Sequence, residues 1–224
     1  MNVNRRSFAG MLILLLGGLF LIRTSGAFFS DTGLSTANTF QAATQFPTPT
    51  AAFVNHLVIT EVLYDPSNAQ AINGQGGENR GEFVEIYNPT AGAVNLTGWT
   101  VSDGAESESL SGTLNPGNFL ILTGASESEF EAVWTVPAAV IYTTVPGGKI
   151  GNGFPSNAGI VQLFNDASLI DSASWGTNTT GFSSGCGATC PTAPSGQSLG
   201  RNPLNIDTDA AGNFVINNPP NPGS

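Results

Sequence analysis

Carboxylates are the residues of this chain best placed to do chemistry. Glu82 and Glu85 stand in GEFVEIYNPT (81–90), Glu61 stands in VITEVLYDP (58–66), and Asp207 and Asp209 lead a loop that ends in Gly212 and Asn213. A pair of facing carboxylates is the minimum equipment for general acid–base work such as glycoside hydrolysis. The Asp207-Thr208-Asp209 alternation with Gly212 and Asn213 is similar to the front of a calcium loop, although it lacks a third acid at the next alternate position. Calcium is a hard cation that takes carboxylate and carbonyl oxygens. A second oxygen site would form if Glu61, Glu82 and Glu85 converged.

The remaining chemistry is thinly supplied. His56 is the single histidine, so any Ser-His-Asp or Cys-His arrangement would depend on it. No glycine-rich phosphate loop lies between a strand and a helix. Cys186 and Cys190, in CGATC, are too few for a zinc site of about four Cys or His ligands. In an exported protein, a short-loop disulfide between them is the expected state. Arg201, in SLGR, is expected to pair with a nearby carboxylate. Trp99, Trp134 and Trp175 would suit a carbohydrate-stacking platform, but in a sandwich they are expected in the core or at its rim.

GEFVEIYNPT also poses a structural question. In a strand, Glu82, Val84 and Ile86 share one face and Phe83, Glu85 and Tyr87 share the other. Neither face is purely apolar. The reading taken from sequence is a twisted strand near a sheet edge, where charge discourages edge-to-edge aggregation.

The elements around these acids are expected to be strands. The chain of 224 residues has 28 glycines, 14 prolines and only 10% charged residues. Many turns between short β-rich runs follow from that composition. Runs at 56–64, 83–88, 93–103, 119–122, 140–145, 159–166 and 168–175 predict strands, the last two joined as a hairpin around Asn165-Asp166. A helical turn is expected near Phe130 and Trp134. The fold class is all-β, a β-sandwich.

The first residues give an address. MNVNRR is basic, Phe8 to Ile22 is apolar, and Ser25-Gly26-Ala27 offers small residues for cleavage. Residues 1–27 therefore read as a signal peptide, or as an uncleaved membrane anchor. Residues 28–55 read as an extended segment with a Pro/Thr linker, and residues 56–224 as the sandwich. Beyond Ala27 only Arg80, Lys149 and Arg201 oppose sixteen acids, a net of −13. Nucleic acid is excluded as a partner, because phosphate binding needs clustered cations.

Two resemblances follow. AFFSDTGLSTANTFQAAT (27–44) resembles the start of camelysin/TasA-type bacterial surface proteins through its FSDT and NTF-x-A stretches. That implies homo-assembly through a donated N-terminal strand. VITEVLYDP, GEFVEIYNPT, NLTGWTVSDG (95–104), LNPGNFLILTG (114–124) and GNGFPSNAGIVQLFNDASLIDSASWG (151–176) resemble the lamin-tail domain, with 197–214 and 220–224 similar to the end of its bacterial forms. The resemblance implies an immunoglobulin-like β-sandwich and a non-catalytic interaction module on exported bacterial or archaeal proteins. Without a coiled-coil rod or a basic patch, the nuclear roles of lamins do not carry over. The functional expectation is an extracellular or cell-surface module binding a protein or surface polymer. A self-assembling structural subunit stands second and a carboxylate-dependent hydrolase third.

Overall fold

The computed structural model describes residues 54–72, 78–183 and 185–224. The expectations placed on residues 1–53, leader and linker alike, lie outside the described residues. Among the described residues the chain runs through β1 (Val58–Leu63), β2 (Phe83–Tyr87), β3 (Val94–Asn95), β4 (Trp99–Ser102), β5 (Ser107–Ser109) and β6 (Thr113–Leu114). It continues through β7 (Phe119–Thr123), the single-turn helix α1 (Glu127–Glu131), β8 (Ile141–Thr144), β9 (Ala158–Asn165), β10 (Ser168–Gly176), β11 (Ser198–Arg201) and β12 (Phe214–Asn217).

Two sheets form the sandwich. The larger has the order β12-β11-β1-β2-β7-β8 and the smaller β10-β9-β4-β5, with β3 and β6 paired separately. Neighbours pair antiparallel except β7 and β8, which run parallel. Ile59, Val62, Val84, Ile86, Leu120 and Leu122 of the larger sheet meet Val101, Val161, Leu163, Ala173 and Trp175 of the smaller one in a continuous core. The run 93–103, expected as one strand, divides into β3 and β4 at Gly98. That residue has φ +85°, and an added Cβ would lie 2.6 Å from Asp166 Oδ1. A side chain there would strain both turn and neighbour.

The mixed faces of β2 now have an explanation. β2 is an interior strand with β1 on one side and β7 on the other, so the expectation of an edge is corrected. Its inner face gives Val84 and Ile86 to the sandwich core. Its outer face gives Phe83 to a second cluster with Leu63, Ile72, Ile121, Phe130, Trp134 and Val140. Helix α1 provides Phe130, whose ring meets Phe83 edge-on at 5.5 Å. A strand covered on both faces has no polar side to display, so alternation disappears. Glu82, just before it, and Glu85 on it are buried as well, at 2% and 1% exposure.

The tryptophans are core residues and form no exposed platform: Trp99, Trp134 and Trp175 are all buried. Trp175 stacks on Tyr64 with ring centroids 4.3 Å apart, and its indole N–H donates to the Pro155 carbonyl at 2.8 Å. Its cross-strand partner is Gly159, where an added Cβ would lie 2.4 Å from Trp175 Cζ2. Gly159→Ala is therefore expected to destabilise the domain by about 1–3 kcal/mol through overpacking. Urea unfolding checks this, and an unchanged midpoint would show that the indole has room to move.

Candidate functional site

A β-bulge places the first pair of acids. Ile59 pairs with Ile86, but Glu61 pairs with Glu85, so one extra residue, Thr60, is inserted in β1. Without the insertion Glu61 would point to the face of Ile59, into the sandwich core. With it, Glu61 and Glu85 are cross-strand neighbours on the outer face of the larger sheet.

Both carboxylates are held by donors from the fold itself. Glu85 accepts the Thr60 hydroxyl at 2.6 Å on Oε1 and the Gly223 backbone N–H on Oε2. Glu61 Oε1 accepts from the Ser198 hydroxyl, from the Asn221 backbone N–H at 3.0 Å and from Asn217 Nδ2 at 3.3 Å. The segment 218–224 thus lies across the pair. Burial pushes Glu85 up to about 8, reinforced by the nearby Glu61 charge and opposed by its two hydrogen bonds. Burial also raises Glu61, against the pull of Ser198, Asn221 and Asn217. Both groups line a cleft of about 240 Å³ together with Arg201, Val215, Asn217 and Ser224.

Glu82 does not join this pair. Its Oε1 accepts the Phe154 backbone N–H at 3.1 Å, tying β2 to the loop before β9. The expected convergence of Glu61, Glu82 and Glu85 is thus reduced to two of the three.

A second cluster spans the sandwich. Arg201 of β11 is 3% exposed, and its Nη2 donates to both oxygens of Asp171, at 2.9 and 2.7 Å. Asp171 belongs to β10 of the opposite sheet and is also buried. The two share the backbone of Ile59: its N–H donates to Asp171 Oδ2 at 2.7 Å, and its carbonyl accepts from Arg201 Nε at 2.8 Å. Arg201 Nη1 donates to Asp207 Oδ1 at 3.0 Å, and His56 Nε2 lies 3.4 Å from Asp207 Oδ2. Burial pushes Asp171 up, to about 6, although Arg201 pulls it down. For Asp207 burial also opposes the charge, but His56, Arg201 and the Asp209 N–H outweigh it and hold the carboxyl well below its usual range.

The loop read as calcium-like is arranged differently from its sequence order. Ligand oxygens of Asp171, Asp207 and Asp209 lie within 4.8 Å of one another. Asn213 faces elsewhere, its Oδ1 accepting the Thr208 N–H at 2.9 Å and the Thr208 hydroxyl at 3.0 Å. The cation already among these acids is the guanidinium of Arg201. In the CGATC loop, Cys186 and Cys190 are joined as a disulfide with Cα atoms 5.0 Å apart.

Sequence reasoning missed two participants. Asp171 sits in SLIDSASW, where a second bulge, between Leu169 and Asp171, turns it inward. An acid in the middle of a β-rich run was the available signal. The segment 218–224 gave no signal of its own as a partner for Glu61 and Glu85.

Fold and site together define an immunoglobulin-like sandwich module whose buried acids hold its own backbone. A family model described as Lamin Tail Domain matches residues 50–177, and the chain belongs to that family. No curated protein matches the sequence. The matched region ends before β11 and β12, yet both strands continue the larger sheet beside β1.

The Glu85 proton has a measurable consequence. Burial pushes the carboxyl up to about 8, above the ordinary glutamate value of 4.5, so between those limits the folded state keeps a proton that the unfolded state has lost. That stabilisation is complete below the lower value and lost as pH rises through the higher one, at up to about 1.4 kcal/mol per pH unit. Urea unfolding between those limits is expected to show wild type losing stability relative to Glu85→Gln as pH rises. Parallel profiles would mean that Glu85 is ionised throughout.

Proposed function

We propose that the chain is an exported, non-catalytic binding or adhesion module that meets a protein or surface polymer through the outside of its sandwich. The observation that carries this reading is the engagement of its acids. Glu61, Glu82, Glu85, Asp171 and Asp207 each accept hydrogen bonds from the fold's own donors. Groups committed to backbone and to a buried guanidinium are poor candidates for acid–base turnover, because catalysis needs them facing a substrate. Membership of an immunoglobulin-like family supports a binding role, and family resemblance supports fold more strongly than function. The basic-then-apolar leader and the disulfide support export. The strong acidic excess supports a partner other than nucleic acid.

The second reading is a structural subunit that assembles through residues 28–46. It is favoured by one observation: β12 is an outer strand of the larger sheet, and its Val215 and Ile216 are 41% and 47% exposed. Open, uncharged edges invite strand addition.

Light scattering of residues 28–224, with calcium and with chelator, separates these readings. A calcium-indifferent monomer is expected for the binding module. Concentration-dependent assembly that disappears when residues 28–46 are deleted would replace it with the structural subunit.

A further inference from the structure

The segment 218–224 contacts the rest of the domain in the manner of a bound peptide. Pro220, Pro222 and Gly223 are buried, while Asn221 and Ser224 are exposed. The two N–H groups that could be stranded in the groove belong to Asn221 and Gly223, and each donates to a buried carboxylate, Glu61 and Glu85 respectively. The residues preceding each donor are prolines, which have no N–H to satisfy. Pro222 and Gly223 form a turn, with Gly223 in the left-handed region at φ +89°, the Pro-then-Gly order that such a turn favours. Glu61 and Glu85 are direct cross-strand neighbours, so both acceptors lie under the same short segment.

Position 223 adds a steric filter. Gly223 has φ +89°, and an added Cβ would lie 2.6 Å from Pro137 Cδ and 3.0 Å from Val140 Cγ2. Only glycine fits between that wall and Glu85. Proline on either side of Asn221 fixes φ at two positions before the segment docks, which lowers the entropic cost of binding.

We propose that the groove formed by Glu61, Glu85, Pro137 and Val140 is a peptide-recognition site selective for a Pro-x-Pro-Gly segment that turns at its Pro-Gly step, filled in cis by the chain's own residues 220–223. The site reads two N–H groups at alternate positions, prolines between them, and the absence of a side chain at the last position. This assignment does not depend on export or on the partner of the outer surface.

The test uses the full chain carrying Gly223→Ala, which displaces the resident segment and leaves the groove intact. A fluorescein-labelled, amidated hexapeptide, Pro-Pro-Asn-Pro-Gly-Ser, is expected to bind this variant at least about tenfold more tightly than wild type, since the tethered competitor is gone. The same peptide with alanine in place of glycine is expected not to bind. Equal binding of both peptides, or none to a cooperatively folded variant, would overturn the proposal. Should the variant fail to fold, wild type is read by hydrogen exchange. Excess glycine peptide is expected to speed exchange of the resident Asn221 and Gly223 amides, the alanine peptide to leave it unchanged. No acceleration would overturn the proposal equally.

Discussion

The rest of the structure depends on one buried guanidinium. Arg201 sits between the sheets with Asp171 from one side, Asp207 from the other and the Ile59 carbonyl in front of it. A single cation inside a protein is costly, and a single carboxylate equally so. Here each satisfies the other, and together they satisfy the backbone of β1 close to where its bulge shifts the register. The bulge in turn sends Glu61 outward to face Glu85. Internal electrostatics, β1 geometry and the outer groove are therefore one connected arrangement.

That arrangement explains why so acidic a chain places acids inside. Burial alone would drive each carboxyl toward its neutral form. Arg201 opposes this at Asp171 and, with His56, outweighs it at Asp207, whereas at Asp171, Glu61 and Glu85 burial prevails over the groups that oppose it. The acids act as acceptors where the backbone lacks a strand partner: at Ile59, beyond the stretch of β1 that pairs with β11, in the loop before β9 and in the segment after β12. A sandwich assembled from short strands leaves many such segments, and each needs its N–H groups satisfied.

Much of this was legible in the sequence, and the failures have physical causes. The all-β class, the β9–β10 hairpin and the pairing of Arg201 with a carboxylate followed from composition, turn residues and the scarcity of cations. The placement of β2 did not, because alternation reports burial on one face, and helix α1 covers the other through a contact distant in sequence. Nor did the grouping of the acids. Glu82 and Glu85 are three residues apart and point to opposite sides of the larger sheet, whereas Glu61 and Glu85 meet only because Thr60 is extra. Bulges change register without changing composition, so a period-two reading misses them. Asp171 was overlooked for the same reason.

The most direct test of the account is a double-mutant cycle on Asp171 and Arg201, using Asp171→Asn, Arg201→Met and the pair, measured by urea unfolding. Removing Arg201 alone should cost about 3–5 kcal/mol, because it leaves Asp171 buried without its cation. The double variant should lose much less than the sum of the two singles, a coupling on the order of 2 kcal/mol. Additive losses would mean that the two side chains hold the sheets independently, and the clamp across the sandwich would not be what organises β1.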